Sequence, residues 1–129
     1  LGGRLADAIG LSLRQRDKPH FHLFEVGAGS GLLALHILDA LAKRDPRLYC
    51  LITFHITEQH PEMLAQLAKN PLFERHSARL VYEVVDITAP HWSVVPDVVI
   101  FSYVLDSLPV RFMRVKENSS KRRSPSGRR

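Results

Sequence analysis

An α/β fold with an open parallel sheet is what this sequence predicts, and three observations predict it. Short apolar runs rich in β-branched and aromatic residues alternate with amphipathic stretches of helical length. The first such run, Phe21–Val26, leads at once into Gly27-Ala28-Gly29-Ser30-Gly31, a turn with glycine at every second position, and then into a leucine-rich stretch. Each of the first three runs also ends at an acidic residue, Glu25, Glu58 or Asp86, and in an open α/β sheet ligands bind at the carboxyl ends of the strands.

The elements follow in order. Residues 4–16 carry Leu5, Ala8, Ile9, Leu11 and Leu13 among arginines and polar residues and predict an amphipathic helix, broken by Asp17-Lys18-Pro19. Phe21–Val26 is the first strand. A second helix is predicted from about residue 31 to 43, with Leu32, Leu35, Leu38 and Leu41 as its apolar face and Asp45-Pro46 as its stop. Residues 49–57, Tyr-Cys-Leu-Ile-Thr-Phe-His-Ile-Thr, read as the second strand. Pro61 suits the first turn of a third helix over 62–69, closed by Asn70-Pro71. Residues 80–85 and 97–102 are the third and fourth strands. No further strand is predicted, so the sheet is expected to stop after about four, in a partial domain over 1–115.

At 129 residues the chain is one domain, and its 45% hydrophobic and 24% charged content is that of an ordinary globular protein. No apolar run approaches the length of a membrane span. Leu1 is not an initiating methionine, so a fragment or processed product is expected. The net charge of +5 is confined to the end: residues 1–115 hold 12 basic and 12 acidic side chains, and the excess comes from six lysines and arginines against one glutamate, Glu117, after them. Residues 116–129 have almost no apolar content and are expected to form a basic disordered tail. With the basicity gathered there, nucleic acid is not the expected partner. Cys50 is the single cysteine, which excludes an internal disulfide, and its apolar surroundings in sequence predict a buried, inert thiol. The seven histidines show no metal-ligand spacing, so no metal site is expected.

A strand–turn–helix can be purely structural, but three glycines let backbone approach a ligand closely and open a helix amino terminus toward it. The dinucleotide fingerprint is G-x-G-x-x-G. Here the pattern is E-x-G-x-G-x-G, from Glu25 through Gly27, Gly29 and Gly31. That tighter spacing resembles motif I of the class I S-adenosylmethionine-dependent methyltransferases, and it implies a Rossmann-like sheet with S-adenosyl-L-methionine as cofactor.

Such a ligand is cationic and carries hydroxyls, which gives the strand-end acids work. Glu58, after the second strand, can accept both ribose hydroxyls as a bidentate pair. Asp86 is expected to accept from the adenine amino group, with Ile87 packing on the ring. Glu25 is expected to face the amino and sulfonium end, directly or through water.

The resemblance extends further. Glu-Val-Gly-Ala-Gly-Ser-Gly, the helix ending in Ile-Leu-Asp-Ala-Leu, His55-Ile56-Thr57-Glu58-Gln59-His60-Pro61 and Val104-Leu105-Asp106-Ser107-Leu108-Pro109-Val110 are together similar to the MidA-type methyltransferases. That family includes the mitochondrial complex I assembly arginine methyltransferases. The similarity runs from about Leu5 to Val110 and implies a protein arginine side chain as acceptor and a mitochondrial location. It places Gly27, Gly29, Gly31 and Glu58 at the cofactor and Asp106 on the acceptor side as the candidate catalytic residue. One departure stands out. Where the resembling proteins carry Asn-Glu at the end of the fourth strand, this chain has Ser102-Tyr103, and a tyrosine cannot supply the charge that pairs with a guanidinium. A cofactor-binding but non-catalytic fragment or scaffold is therefore the alternative. A dinucleotide-dependent oxidoreductase is a second, disfavoured by the glycine spacing.

Overall fold

The computed structural model describes residues 1–86 and 88–101 and, for the backbone, 111–114. Its elements are α1 (Gly2–Arg14), β1 (Phe21–Val26), α2 (Leu32–Arg44), a single-turn α3 (Pro46–Tyr49), β2 (Ile52–Glu58), α4 (Pro61–Ala68), a 3-10 helix (Pro71–Arg79), β3 (Leu80–Val84), β4 (Val98–Phe101) and β5 (Arg111–Arg114). The sheet order is β3-β2-β1-β4-β5. The four predicted strands all run parallel, while β5 pairs antiparallel with β4. The expected end after about four strands is thus corrected by one strand. β5 holds four residues, Arg-Phe-Met-Arg, too short and too charged at its ends to register as a strand by pattern.

β1 lies at the centre, with β2 on one side and β4 on the other. The chain winds outward from β1 to β3, then returns to β4 beyond β1. That reversal is where open α/β sheets bind ligands, outside the carboxyl ends of the strands.

Strand alternation divides the sheet into two unlike faces. Phe21, Leu23, Ile52, Phe54, Ile56, Val98 and Ile100 point into one apolar core with Leu5, Ile9 and Leu13 of α1 and Leu35, Ile37, Leu38 and Leu41 of α2. Burying side chains of this kind contributes about 1.5–3 kcal/mol each, so this face holds most of the stability. The predicted apolar faces are buried at Leu5, Ile9, Leu13, Leu35, Leu38 and Leu41, with one exposed leucine in each helix. Leu32 and Leu11 are exposed, and Leu33, Ala34 and Ala6 face inward instead. Leu33 stands four and eight residues before Ile37 and Leu41 and shares their inward face, whereas Leu32 falls on the opposite side.

The start of the second strand also moves. Residues 46–49 form α3, capped by the Asp45 carboxylate accepting from Leu48 N–H, so β2 begins at Ile52 rather than near Tyr49. Cys50 then lies at the end of α3 and is exposed, which overturns the expected buried thiol.

The other face is partly polar. His22, Phe24, Thr53, His55 and Glu83 share it by register. Phe24 stacks flat on His55 with ring centroids 4.0 Å apart, and Trp92 from the β3–β4 connection packs edge-on against Phe24. A hydrogen-bonded chain joins His22 Nδ1 to His55 Nε2 at 3.0 Å and His55 Nδ1 to Glu83 Oε2, which also accepts from the Ser93 hydroxyl. With both rings neutral, every contact is satisfied when His22 donates to His55 and His55 donates to Glu83. At the opposite end of the strands, buried Asp97 accepts from His22 N–H, Lys18 and Arg16, tying β4 to the α1–β1 connection.

Burial, ahead of the opposing pull of Glu83, pushes His55 below its ordinary pKa, and burial followed by the neighbouring His55 does the same to His22. Both therefore bind protons more readily when unfolded. The stability they contribute is complete above the ordinary histidine value near pH 6.5 and is lost as pH falls below it. Urea unfolding is expected to show declining stability from pH 7.5 to 5, with a shallower decline in a His22→Asn/His55→Gln double variant. An unchanged slope would remove these two histidines as the cause.

Candidate functional site

The site grows from the five residues between β1 and α2. Gly27, Gly29 and Gly31 all have positive φ, of 73, 59 and 77°, a conformation that side-chain-bearing residues rarely adopt. The turn closes with Gly31 N–H donating to the Ala28 carbonyl, and Gly31 accepts from Leu35 N–H to start α2. No acidic residue occupies the first turn of α2, so its positive end is open to an anionic group.

The end of β2 holds this turn. Ala28 N–H donates to the Thr57 carbonyl at 3.1 Å, and the buried Thr57 hydroxyl donates to the Glu25 carbonyl at 2.6 Å. Glu58 is 7% exposed. Its Oε2 accepts from Gly29 N–H and its Oε1 from Gln59 N–H, both at 3.1 Å. Each carboxylate oxygen keeps a further lone pair for a ligand hydroxyl. Val85 N–H in turn donates to the Glu58 carbonyl, bringing the segment after β3 alongside.

The predicted site residues separate into three groups. The three glycines share one turn, and Glu58 is bonded to it through Gly29 N–H. Asp86 sits just past β3, exposed, with its Oδ1 accepting from both the Thr88 hydroxyl and the Thr88 N–H. Those bonds, the hydroxyl first, hold its carboxyl below the usual range. Glu25 is wholly buried within β1, between Ile56 and Ile100 on the flanking strands, rather than facing an open cleft. Ile87 and Asp106, with Ser102 and Tyr103, lie outside the described residues.

Gly29 and Gly31 serve different ends. A Cβ on Gly29 would meet no atom within 4 Å, so the outer side of the turn is open space into which a ligand can come against backbone. A cleft of about 440 Å³, lined by Gly29, Ser30, Met63, Gln66, Leu67, Lys69 and Asn70, opens beside it. A Cβ on Gly31 would lie 2.6 Å from the Phe73 ring and 2.8 Å from Leu67, so this glycine makes room for buried packing. Sequence reasoning missed Thr57, Leu67 and Phe73. Thr57 had a signal, since it precedes the candidate ribose acid; Phe73, isolated in a polar stretch, had none.

Open backbone at the turn, a buried carboxylate at the end of β2 and a helix terminus free of acid together fit a ligand with ribose hydroxyls and an anionic end. The family described as “Putative S-adenosyl-L-methionine-dependent methyltransferase” matches residues 5–124. The chain belongs to this family.

A Burkholderia thailandensis protein bound to S-adenosyl-homocysteine shares the fold, at 22% identity and a TM-score of 0.51, over 74% of this chain and 22% of that one. An amino pentose methyltransferase of calicheamicin biosynthesis from Micromonospora echinaspora, bound to SAM, matches at 23% identity and a TM-score of 0.47, over 78% of this chain and 34% of that one. The chain thus spans about a fifth to a third of the length of the solved structures it resembles. No curated protein matches it. Among the described residues, no group of three His, Cys, Asp or Glu side chains is placed to hold a metal ion, and no helix is long and apolar enough to cross a membrane.

Alanine at Gly29 should cost only the left-handed conformation, about 1–2 kcal/mol. At Gly31 it should cost that and a further 1–3 kcal/mol or so for displacing buried Phe73 and Leu67. Urea unfolding of the two ligand-free variants checks this, and equal losses would refute the division of labour.

Proposed function

We propose that this chain binds S-adenosylmethionine at the carboxyl ends of β1 and β2, as the cofactor-binding part of a MidA-type protein-arginine N-methyltransferase. The observation that carries the reading is the buried Glu58 carboxylate, 3.1 Å from Gly29 N–H, at the mouth of a turn whose outer side is open. There it can hold the turn and accept from the ribose hydroxyls at once. The acid-free amino terminus of α2 favours the carboxylate of the ligand's amino-acid end. Asp86 would accept from the adenine amino group, and Ile87 would pack on the ring. Glu25, sealed in β1, would act on the ligand's positive charge through its field rather than by contact. When bound, S-adenosylmethionine supplies a methyl group on a cationic sulfur; these residues bind and orient it, and positioning of this kind accounts for much of a transfer rate.

Arginine as acceptor, Asp106 as the acceptor-side residue and a mitochondrial setting in complex I assembly are supported by the resemblance from Leu5 to Val110. A second reading, a cofactor-binding scaffold without turnover, is favoured by Ser102-Tyr103 in place of Asn-Glu. On that reading, transfer of labelled methyl groups to arginine peptides by the 129-residue chain stays at background; robust transfer would reject it.

Titration calorimetry is expected to show S-adenosylmethionine and S-adenosyl-homocysteine binding more tightly than NAD, and tighter NAD binding would overturn the assignment. Glu58→Ala should weaken S-adenosyl-homocysteine binding by about 1.5–3 kcal/mol, the worth of a hydrogen bond to a charged group. An affinity unchanged by this variant would make Glu58 a fastener of the turn alone.

A further inference from the structure

The 3-10 helix is fastened to α2 at two points. The first is apolar: Phe73, buried, lies against Gly31 at the start of α2, with its ring 2.6 Å from where a Cβ would sit. The second is polar. His76, equally buried, places Nε2 2.7 Å from Asp39 of α2 and Nδ1 2.6 Å from the Tyr49 hydroxyl of α3. Arg75 completes the group by donating to both oxygens of Asp39, at 3.0 and 2.8 Å. The ion pair makes Asp39 an acceptor, so His76 Nε2 carries the proton and Nδ1 accepts from Tyr49.

The spacing makes the two fastenings one device. Side chains at i and i+3 of a 3-10 helix eclipse one another, so Phe73 and His76 project together from one face. Gly31 and Asp39 lie eight residues apart, two turns along one stripe of α2. The polar cluster therefore sets how the 3-10 helix lies on α2, and with it how firmly the Phe73 ring braces the glycine turn. We propose that His76 is a positioning residue for the cofactor-binding turn, acting through Phe73 at a distance from any ligand. This rests on the reading above only for its binding readout.

Amide hydrogen exchange on the ligand-free 129-residue chain tests the proposal directly. Peptides covering residues 27–33 should exchange at least tenfold faster in His76→Leu and in Phe73→Ala than in wild type, while peptides from α1 exchange unchanged. His76→Gln, which keeps an N–H for Asp39 and a carbonyl for Tyr49, should restore the wild-type rate. Should His76→Leu fail to fold, Tyr49→Phe, which removes one hydrogen bond, should give a smaller acceleration at the same peptides. Uniform acceleration across the molecule, or wild-type exchange at 27–33 in both His76→Leu and Phe73→Ala, would overturn it. In calorimetry the same variants should lose about tenfold in S-adenosyl-homocysteine affinity, with His76→Gln near wild type. Absence of binding by the wild-type chain would reject the cofactor reading while leaving the exchange result to decide this one.

Discussion

The hydrogen bond from Gly29 N–H to the Glu58 carboxylate is the contact through which the sheet sets the shape of the turn. A five-residue link between β1 and α2 with three left-handed positions has little intrinsic preference for one conformation, because glycine loses more freedom on folding than any other residue. The neighbouring strand supplies the definition. Thr57 and Glu58 fix the turn at Glu25, Ala28 and Gly29, and parallel β1–β2 pairing sets where Thr57 and Glu58 stand. A buried carboxylate is costly unless satisfied. Here its two oxygens each take a backbone N–H, which offsets that cost and orients it toward open space.

Stability and site formation lie on different parts of the sheet. The face against α1 and α2 is apolar except at Glu25 and Glu58, towards the carboxyl ends of the strands, and carries most of the burial. The face bearing His22, His55 and Glu83 trades apolar area for a chain of hydrogen bonds, roofed in part by Trp92 and Ser93. Such networks specify an arrangement more than they add free energy, since leaving one member unsatisfied costs more than the bond itself contributes. The site draws on neither interior alone: it forms at the strand ends, where backbone donors and acceptors run out of sheet partners.

Much of this architecture is legible in the chain. The four parallel strands and the glycine turn announce themselves through apolar runs and an uncommon glycine spacing, and Glu58 through its place after the second run. Other features escaped for physical reasons. The inward setting of Leu33 follows from its four-residue spacing to Ile37 and Leu41, which a face drawn through Leu32 and Leu35 passes over. The 3-10 helix has few apolar residues, and its contribution lies in the paired projection of Phe73 and His76, visible only once α2 lies beneath them. β5 is defined by a partner strand rather than by its own pattern. Glu25 reads as a site residue by position, yet strand alternation carries it into the sheet interior, between isoleucines on both flanking strands.

The outward setting of Cys50 has a practical side. It is the single cysteine of the chain and stands at the amino end of β2, whereas the glycine turn stands at the other. Seven strand residues at roughly 3.3 Å each put on the order of 20 Å between them. A maleimide dye attached there would form an energy-transfer pair with a fluorescently labelled ligand at the turn without touching the groups proposed to receive it. The molecule thus comes with one chemically unique handle, remote from its site and needing no engineered substitution.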